Sequence, residues 1–292
     1  MSIIELDGLT KYYGDTKGIA DLSFEVEEGE IFGYLGPNGA GKTTTIRALL
    51  GFLKPTRGSA RIFGESIDEN IVELKRNIGY IPGNLTLYGD MSGKEFLKYF
   101  EDLRSSSASK YDELVDIFDL PLEKKVSGYS SGMKQKLAII QAFMNDPELV
   151  IMDEPTSGLD PLVQQNFYDF LKVEKEEGRT IFFSSHILSE VEKVCDRAGI
   201  IRDGELVTLE KIETLREKRG KIVRARIEED VEEFDGPDDM EIEGDWIKFV
   251  AKDDIDTWLK KLAEFTVLDL EVKKFSLEDI FLHYYGEGDE DG

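Results

Sequence analysis

The run Gly36-Pro37-Asn38-Gly39-Ala40-Gly41-Lys42-Thr43-Thr44 constrains this chain more than any other stretch. Gly36, Gly41, Lys42 and Thr43 satisfy a pattern of one glycine, four free positions and then Gly-Lys-Thr. The apolar segment Glu30 to Leu35 before it reads as a buried strand, and Thr44 to Phe52 reads as the helix that follows. Glycines let the backbone bend until successive N–H groups point inward, and the helix N-terminus adds a fixed positive end. Such a loop predicts binding of a nucleoside triphosphate, with Asn38, Gly39, Ala40 and Thr44 completing the cradle. Lys42 is placed to reach the β- and γ-phosphates and the Thr43 hydroxyl to hold Mg²⁺.

A phosphate loop is shared by many enzymes, so the remaining machinery decides the chemistry. Leu149 to Glu154 is an apolar strand ending in two carboxylates. Buried parallel strands present ligands at their C-terminal ends, which predicts Asp153 and Glu154 beside the loop. Neighbours on a strand point opposite ways, so the two acids are given different work. Asp153 is assigned to Mg²⁺, directly or through water, and Glu154 to the base that polarises an attacking water.

The chain has 292 residues, room for one large α/β domain and a smaller one. Its apolar runs are too short to span a bilayer, and the N-terminus lacks a signal peptide's basic start and apolar core. The single cysteine, Cys195, cannot form an internal disulfide and reads as a small buried side chain on a helix. A net charge of −25 argues against wrapping nucleic acid or lying directly on anionic lipid. Acid-rich surfaces of this kind look like those of cytosolic proteins from salt-loving microbes, where concentrated cations screen self-repulsion.

Upstream of the Asp-Glu strand stands Tyr129-Ser130-Ser131-Gly132-Met133, followed by a helical stretch from Met133 to Asn145. Ser130 and Ser131 bring hydroxyls, Gly132 permits close backbone approach, and the helix presents its N-terminus to an anion. With this segment the chain resembles the ATP-binding cassette family, the nucleotide-hydrolysing subunits of ABC transporters, whose LSGGQ signature it matches with a changed start and end. Further landmarks carry the resemblance. Ser157-Gly-Leu-Asp160 matches the loop that crosses between paired subunits, and Phe182-Phe-Ser-Ser-His186 ends in a histidine that in the family senses the γ-phosphate. Tyr13 matches the aromatic that stacks on adenine, with Tyr12 as its rival. One departure stands out. The family's glutamine after the strand Ile78 to Ile81 is replaced by Gly83, leaving Asn84, a water or the Gly83 carbonyl to serve in its place.

The resemblance implies a P-loop NTPase cassette over residues 1–215, with a RecA-like core, an antiparallel β-subdomain and a helical subdomain at about 91–142. In the latter, Phe96, Leu97, Phe100 and Leu103 are expected on one buried face, and Leu114, Ile117 and Phe118 on another. A small α+β domain is expected over 216–285, with strands at 221–227, 245–250 and 266–272 and helices at 254–265 and 276–285. An acidic, disordered tail follows over 286–292. The segment Ser276 to Leu282 resembles the ending of ATPase subunits serving ABC-2-type exporters.

One cassette holds two incomplete half-sites, so the resemblance implies a head-to-tail homodimer around two ATP molecules. In it Glu154, His186 and Lys42 act on one nucleotide, while Ser130, Ser131, Gly132 and Asp160 face the partner's. It implies a separate membrane permease as partner, docking around Gly79 to Tyr88 and the following helix, at the inner face of the membrane. The alternative is a soluble cassette ATPase working as a nucleotide-timed clamp. Such clamps usually carry two cassettes or a long coiled-coil insertion, and neither is present in this sequence.

Overall fold

The computed structural model describes residues 1–104, 109–217, 221–231, 234–237, 240–251 and 255–274. The chain divides into two units, Met1–Leu209 and Glu210–Gly292. The first begins with β1 (Ser2–Tyr13), β2 (Thr16–Glu27), β3 (Ile31–Leu35), α1 (Lys42–Leu49), β4 (Arg57–Ile62), β5 (Glu65–Ser66), α2 (Ile67–Leu74) and β6 (Ile78–Ile81). Helices α3 (Gly93–Arg104), α4 (Tyr111–Phe118) and α5 (Ser131–Phe143) come next. Then come β7 (Leu149–Asp153), α6 (Pro161–Glu176), β8 (Thr180–Ser185), α7 (Leu188–Val194), β9 (Arg197–Arg202) and β10 (Glu205–Lys211).

Two sheets organise this unit. One is antiparallel in the order β2-β1-β4-β5, and the other has six strands in the order β10-β9-β3-β8-β7-β6. Every residue of β3, β7 and β8 is buried, as continuous apolar runs must be when a parallel sheet is covered on both faces. Phe24 of the first sheet stacks on Phe32 of the second, with ring centroids 5.4 Å apart, and Tyr34 and Phe182 extend the cluster. The parallel register sets Leu35 opposite Ser185 and Asp153 opposite Ser184. The C-terminal ends of β3, β7 and β8 therefore lie side by side. From them emerge the phosphate loop, Glu154 and His186. This register assembles the site.

Helix α1 starts at Lys42 and stops at Leu49, earlier at both ends than the sequence pattern predicts. Gly41, at φ 106°, turns the chain directly into the helix, and Gly51, at φ 65°, ends it. In the helical region Phe96, Leu97, Leu114 and Phe118 are buried as expected, but Leu103 is 61% exposed and Ile117 41%. The apolar stripe of α3 runs on past the surface that covers it.

The second unit contains α8 (Ile212–Glu217), β11 (Lys221–Ile227), β12 (Glu241–Glu243), β13 (Trp246–Ala251), α9 (Ile255–Leu262) and β14 (Val267–Lys274). Its antiparallel sheet has the order β12-β13-β11-β14 and a small core of Val223, Ala225, Ile247, Phe249 and Leu262, with Trp258 packed against it. The helix predicted over 276–285 and the tail over 286–292 lie outside the described residues.

Cys195 lies just past the last turn of α7 rather than within it, and burial pushes its thiol pKa well up. It packs on Gly33 in the middle of β3. A Cβ at position 33 would stand 2.6 Å from Val191 Cγ1 and 3.0 Å from Cys195 Sγ, so only glycine lets α7 settle on the sheet. Gly33→Ala should therefore cost about 1–3 kcal/mol by overpacking, read as a lower urea midpoint at unchanged slope. An unchanged midpoint would mean that α7 yields without loss.

Candidate functional site

The site is built from the C-terminal edge of the parallel sheet. The side chain of Lys42, in the first turn of α1, is 6% exposed and folds back into its own loop. Its ammonium donates to the carbonyls of Gly36 at 2.6 Å and Pro37 at 3.1 Å, and lies 3.3 Å from Glu154 Oε1. Thr43 Oγ1 donates to Asp153 Oδ2 at 2.7 Å, and Ser184 Oγ donates to Asp153 Oδ1, also at 2.7 Å. Asp153 is buried, with each carboxylate oxygen held by one hydroxyl.

Glu154 leaves the strand with φ 52°, a left-handed backbone that costs a non-glycine residue about 1–3 kcal/mol. Two backbone bonds hold it there: its N–H donates to Ser184 O at 3.1 Å, and its carbonyl accepts from Ser157 N at 3.2 Å. The carboxylate then reaches His186, whose Nδ1 is 2.7 Å from Oε2. Oε1 is buried without a hydrogen-bond donor among the described residues and faces Lys42. A carboxylate so placed has one oxygen oriented by an imidazole and the other paired only with the Lys42 ammonium, able to accept a proton once that charge is drawn elsewhere.

A pocket of about 270 Å³ opens over the loop, lined by Lys17, Gly18, Pro37, Asn38, Gly39, Gly41, Lys42, Thr43, Thr44 and Glu154. The N–H groups of Lys42, Thr43 and Thr44, in the first turn of α1, have no partner four residues back and are available to an anion. Gly36 and Ala40 do not line this pocket. The Ala40 side chain is buried and its N–H donates to Pro37 O, while Gly36 supplies the carbonyl that holds Lys42, so both shape the loop from beneath. Tyr13, 47% exposed, does not line this pocket but packs against Gly18, which does: its Cε2 is 2.8 Å from where a Cβ on Gly18 would stand.

With this geometry the comparisons agree. Residues 19–157 match the family described as ABC transporter. The chain is 35% identical over 300 residues to the ABC transporter ATP-binding protein YhcH of Bacillus subtilis, covering 99% of this chain and 98% of that one. It is 40% identical over 230 residues to the bacitracin transport ATP-binding protein BcrA of Bacillus licheniformis, covering 77% and 75%. A solved structure of an ATP-binding subunit of an ABC transporter superposes with a TM-score of 0.69 at 32% identity, over 74% of this chain and 92% of that one. The chain belongs to the ABC transporter ATP-binding proteins. It is an ATPase of that family, whose subunits dimerise and work with a membrane permease. The clamp alternative is not favoured, and among the described residues no helix is long and apolar enough to cross a membrane.

The cassette's other predicted residues lie apart from this pocket. Ser130 caps α5, its Oγ accepting from Met133 N at 3.2 Å, and both Ser130 and Ser131 are exposed. Gly132 backs onto the crossing loop, with an ideal Cβ 3.1 Å from Gly158 O. Asp160, also exposed, caps α6 by accepting from Val163 N at 3.1 Å. None of these four lines the pocket that holds Lys42.

Position 83 faces the Asp153 carboxylate. A Cβ on Gly83 would stand 3.1 Å from Asp153 Oδ2, whereas Asn84 is exposed. Nearby on β6, burial and then the charge of Asp153 push the Tyr80 hydroxyl up to about 12. The sequence reading did not single out Lys17, Gly18 or Ser184. Ser184 had a visible signal in the hydroxyl pair before His186; the other two enter from β2, and nothing local marks them.

Proposed function

We propose that two copies of this chain close head-to-tail over two ATP molecules and that the resulting opening and closing drives a separate permease. The observation that carries this reading is the Glu154 carboxylate held between Lys42 and His186 at the end of β7. A γ-phosphate that takes Lys42 as its counter-charge leaves Glu154 to accept the proton of an attacking water, with His186 orienting the carboxylate and facing the phosphate. Tyr13 offers its ring to the adenine. Ser130, Ser131, Gly132 and Asp160 serve the partner's nucleotide, where the exposed first turn of α5 offers N–H groups and hydroxyls to phosphate.

The donor set fits Mg²⁺. Thr43 and Asp153 converge as two hard oxygen ligands 2.7 Å apart, and magnesium is commonly held by one carboxylate, a hydroxyl, substrate phosphates and waters. When bound it would neutralise phosphate charge beside Lys42. Gly83 adds no side-chain ligand, which leaves that side of Asp153 to water, Asn84 or the Gly83 carbonyl.

A docking surface for the permease is supported by an apolar groove of about 400 Å³ lined by Leu50, Phe52, Tyr80, Phe100 and Leu103. Phe52 is 56% exposed and Leu103 61%, and Lys75 and Arg104 line the groove as well. Export is the favoured direction, on the ABC-2-like Ser276 to Leu282, which lies outside the described residues, and on likeness to a bacitracin transport protein. We place the protein on the inner face of the membrane, bound through its permease. The net charge of −25 supports a high-salt cytosol.

Glu154→Gln should retain ATP binding and trap a closed dimer while turnover falls about a hundredfold or more, a barrier increase of about 3 kcal/mol. Near-normal turnover would remove Glu154 from the role of base. Affinity purification of the protein from detergent-solubilised native membranes should bring down a polytopic membrane protein in stoichiometric amount. Ribosomal or DNA-repair proteins in its place would favour the clamp. Finally, transfer from molar KCl to dilute buffer should lower the melting temperature markedly, and a constant value would disprove the high-salt origin.

A further inference from the structure

Glu190, on α7, is a carboxylate 3% exposed that the site described above does not use. It receives three hydroxyl donors. Thr156 Oγ1 at 2.6 Å and Tyr168 OH at 3.1 Å donate to Oε1, and Ser185 Oγ at 2.6 Å donates to Oε2. No ion pair among the described residues holds its charge. Burying a carboxylate with hydroxyl partners alone is costly, and a neutral side chain of similar size would fill the space at less electrostatic cost. Burial and the adjacent Glu190 push the Tyr168 hydroxyl up, which keeps it a donor.

The donors stand at telling positions. Thr156 lies two residues beyond Glu154, and Ser185 immediately precedes His186. Ser185 Oγ also accepts the N–H of Ile187 at 2.9 Å, so both flanks of His186 are tied to one hydroxyl that Glu190 holds. From the other side, Gln135 Nε2 of α5 donates to the Pro155 carbonyl at 2.5 Å. Pro155 and Thr156 are thus held between the helix that begins at Ser131 and the carboxylate of Glu190.

We infer that Glu190 is a positioning residue for ATP hydrolysis: through Thr156 and Ser185 it locks the left-handed turn at Glu154 to the strand end at His186. The 2.7 Å contact between Glu154 and His186 then forms between two pieces of chain already held in register. The same lock joins the crossing loop, and through Gln135 the helix behind Ser130 and Ser131, to the hydrolytic carboxylate. This deepens the proposed reading of Glu154 and His186 and stands on it.

The test uses the full-length protein and four variants: Thr156→Val, which keeps the volume and removes the hydroxyl, Glu190→Leu, Glu190→Gln and the double variant Thr156→Val/Glu190→Leu. Thr156→Val and Glu190→Leu should each lower kcat about tenfold, with the KM for ATP and nucleotide affinity held within about twofold. The double variant should be no slower than Glu190→Leu alone, because both changes break one link. Glu190→Gln, which retains an acceptor for Thr156, should recover much of the loss. Wild-type kcat in folded Thr156→Val, additive losses in the double variant, or losses that merely follow the folded fraction in thermal melts would each overturn the inference. Wild-type turnover and its loss in Glu154→Gln, measured alongside, test the underlying reading independently.

Discussion

Asp153 receives one hydroxyl from the first turn of α1 and another from the end of β8, each on its own oxygen. These two bonds tie the phosphate loop to the two neighbouring strands that carry the rest of the chemistry. A buried carboxylate tolerates this position only while both oxygens are served, which makes its geometry exacting. Since side chains alternate along a strand, slipping β7 by one residue against β8 would turn Asp153 away from Thr43. The pairing of Asp153 with Ser184 and of Leu35 with Ser185 therefore fixes the spacing of the phosphate loop, Glu154 and His186 together.

Beyond Asp153 the chain departs from strand geometry, and the departure has a purpose. With φ at 52°, Glu154 projects neither to the core nor along the strand's regular alternation, but between Lys42 and His186. Backbone strain at such a place persists only where the surroundings over-determine it. Here they do so through Ser184 O, Ser157 N and the hydroxyl network on Glu190. Ammonium, carboxylate and imidazole form one connected row, so displacement of any one is felt by the other two.

Much of this was legible in the sequence, for identifiable reasons. The phosphate loop, the acid pair and His186 each follow an apolar run, and parallel strands bring their C-terminal ends to one edge whatever the intervening length. What local pattern does not encode is which surface has a partner. Leu103 and Ile117 share the period of buried neighbours yet stand exposed, because helical periodicity marks a face and not what covers it. Gly36 and Ala40 match the loop pattern, but the pattern cannot tell which members face the ligand and which support from beneath. Lys17, Gly18 and Glu190 reach the site or its supports across tertiary contacts, and no spacing in the chain announces them.

The nucleotide site and the apolar groove are separated by little more than one strand. Tyr80 lines the groove, its hydroxyl pKa raised by burial and then by the charge of Asp153; three residues on, a Cβ at Gly83 would stand 3.1 Å from the same carboxylate. Between Asp153 and the groove stand the backbone of β6 and Tyr80, position 83 having no side chain. A backbone path is stiff, being held by parallel pairing between β6 and β7 from Ile78 to Ile81.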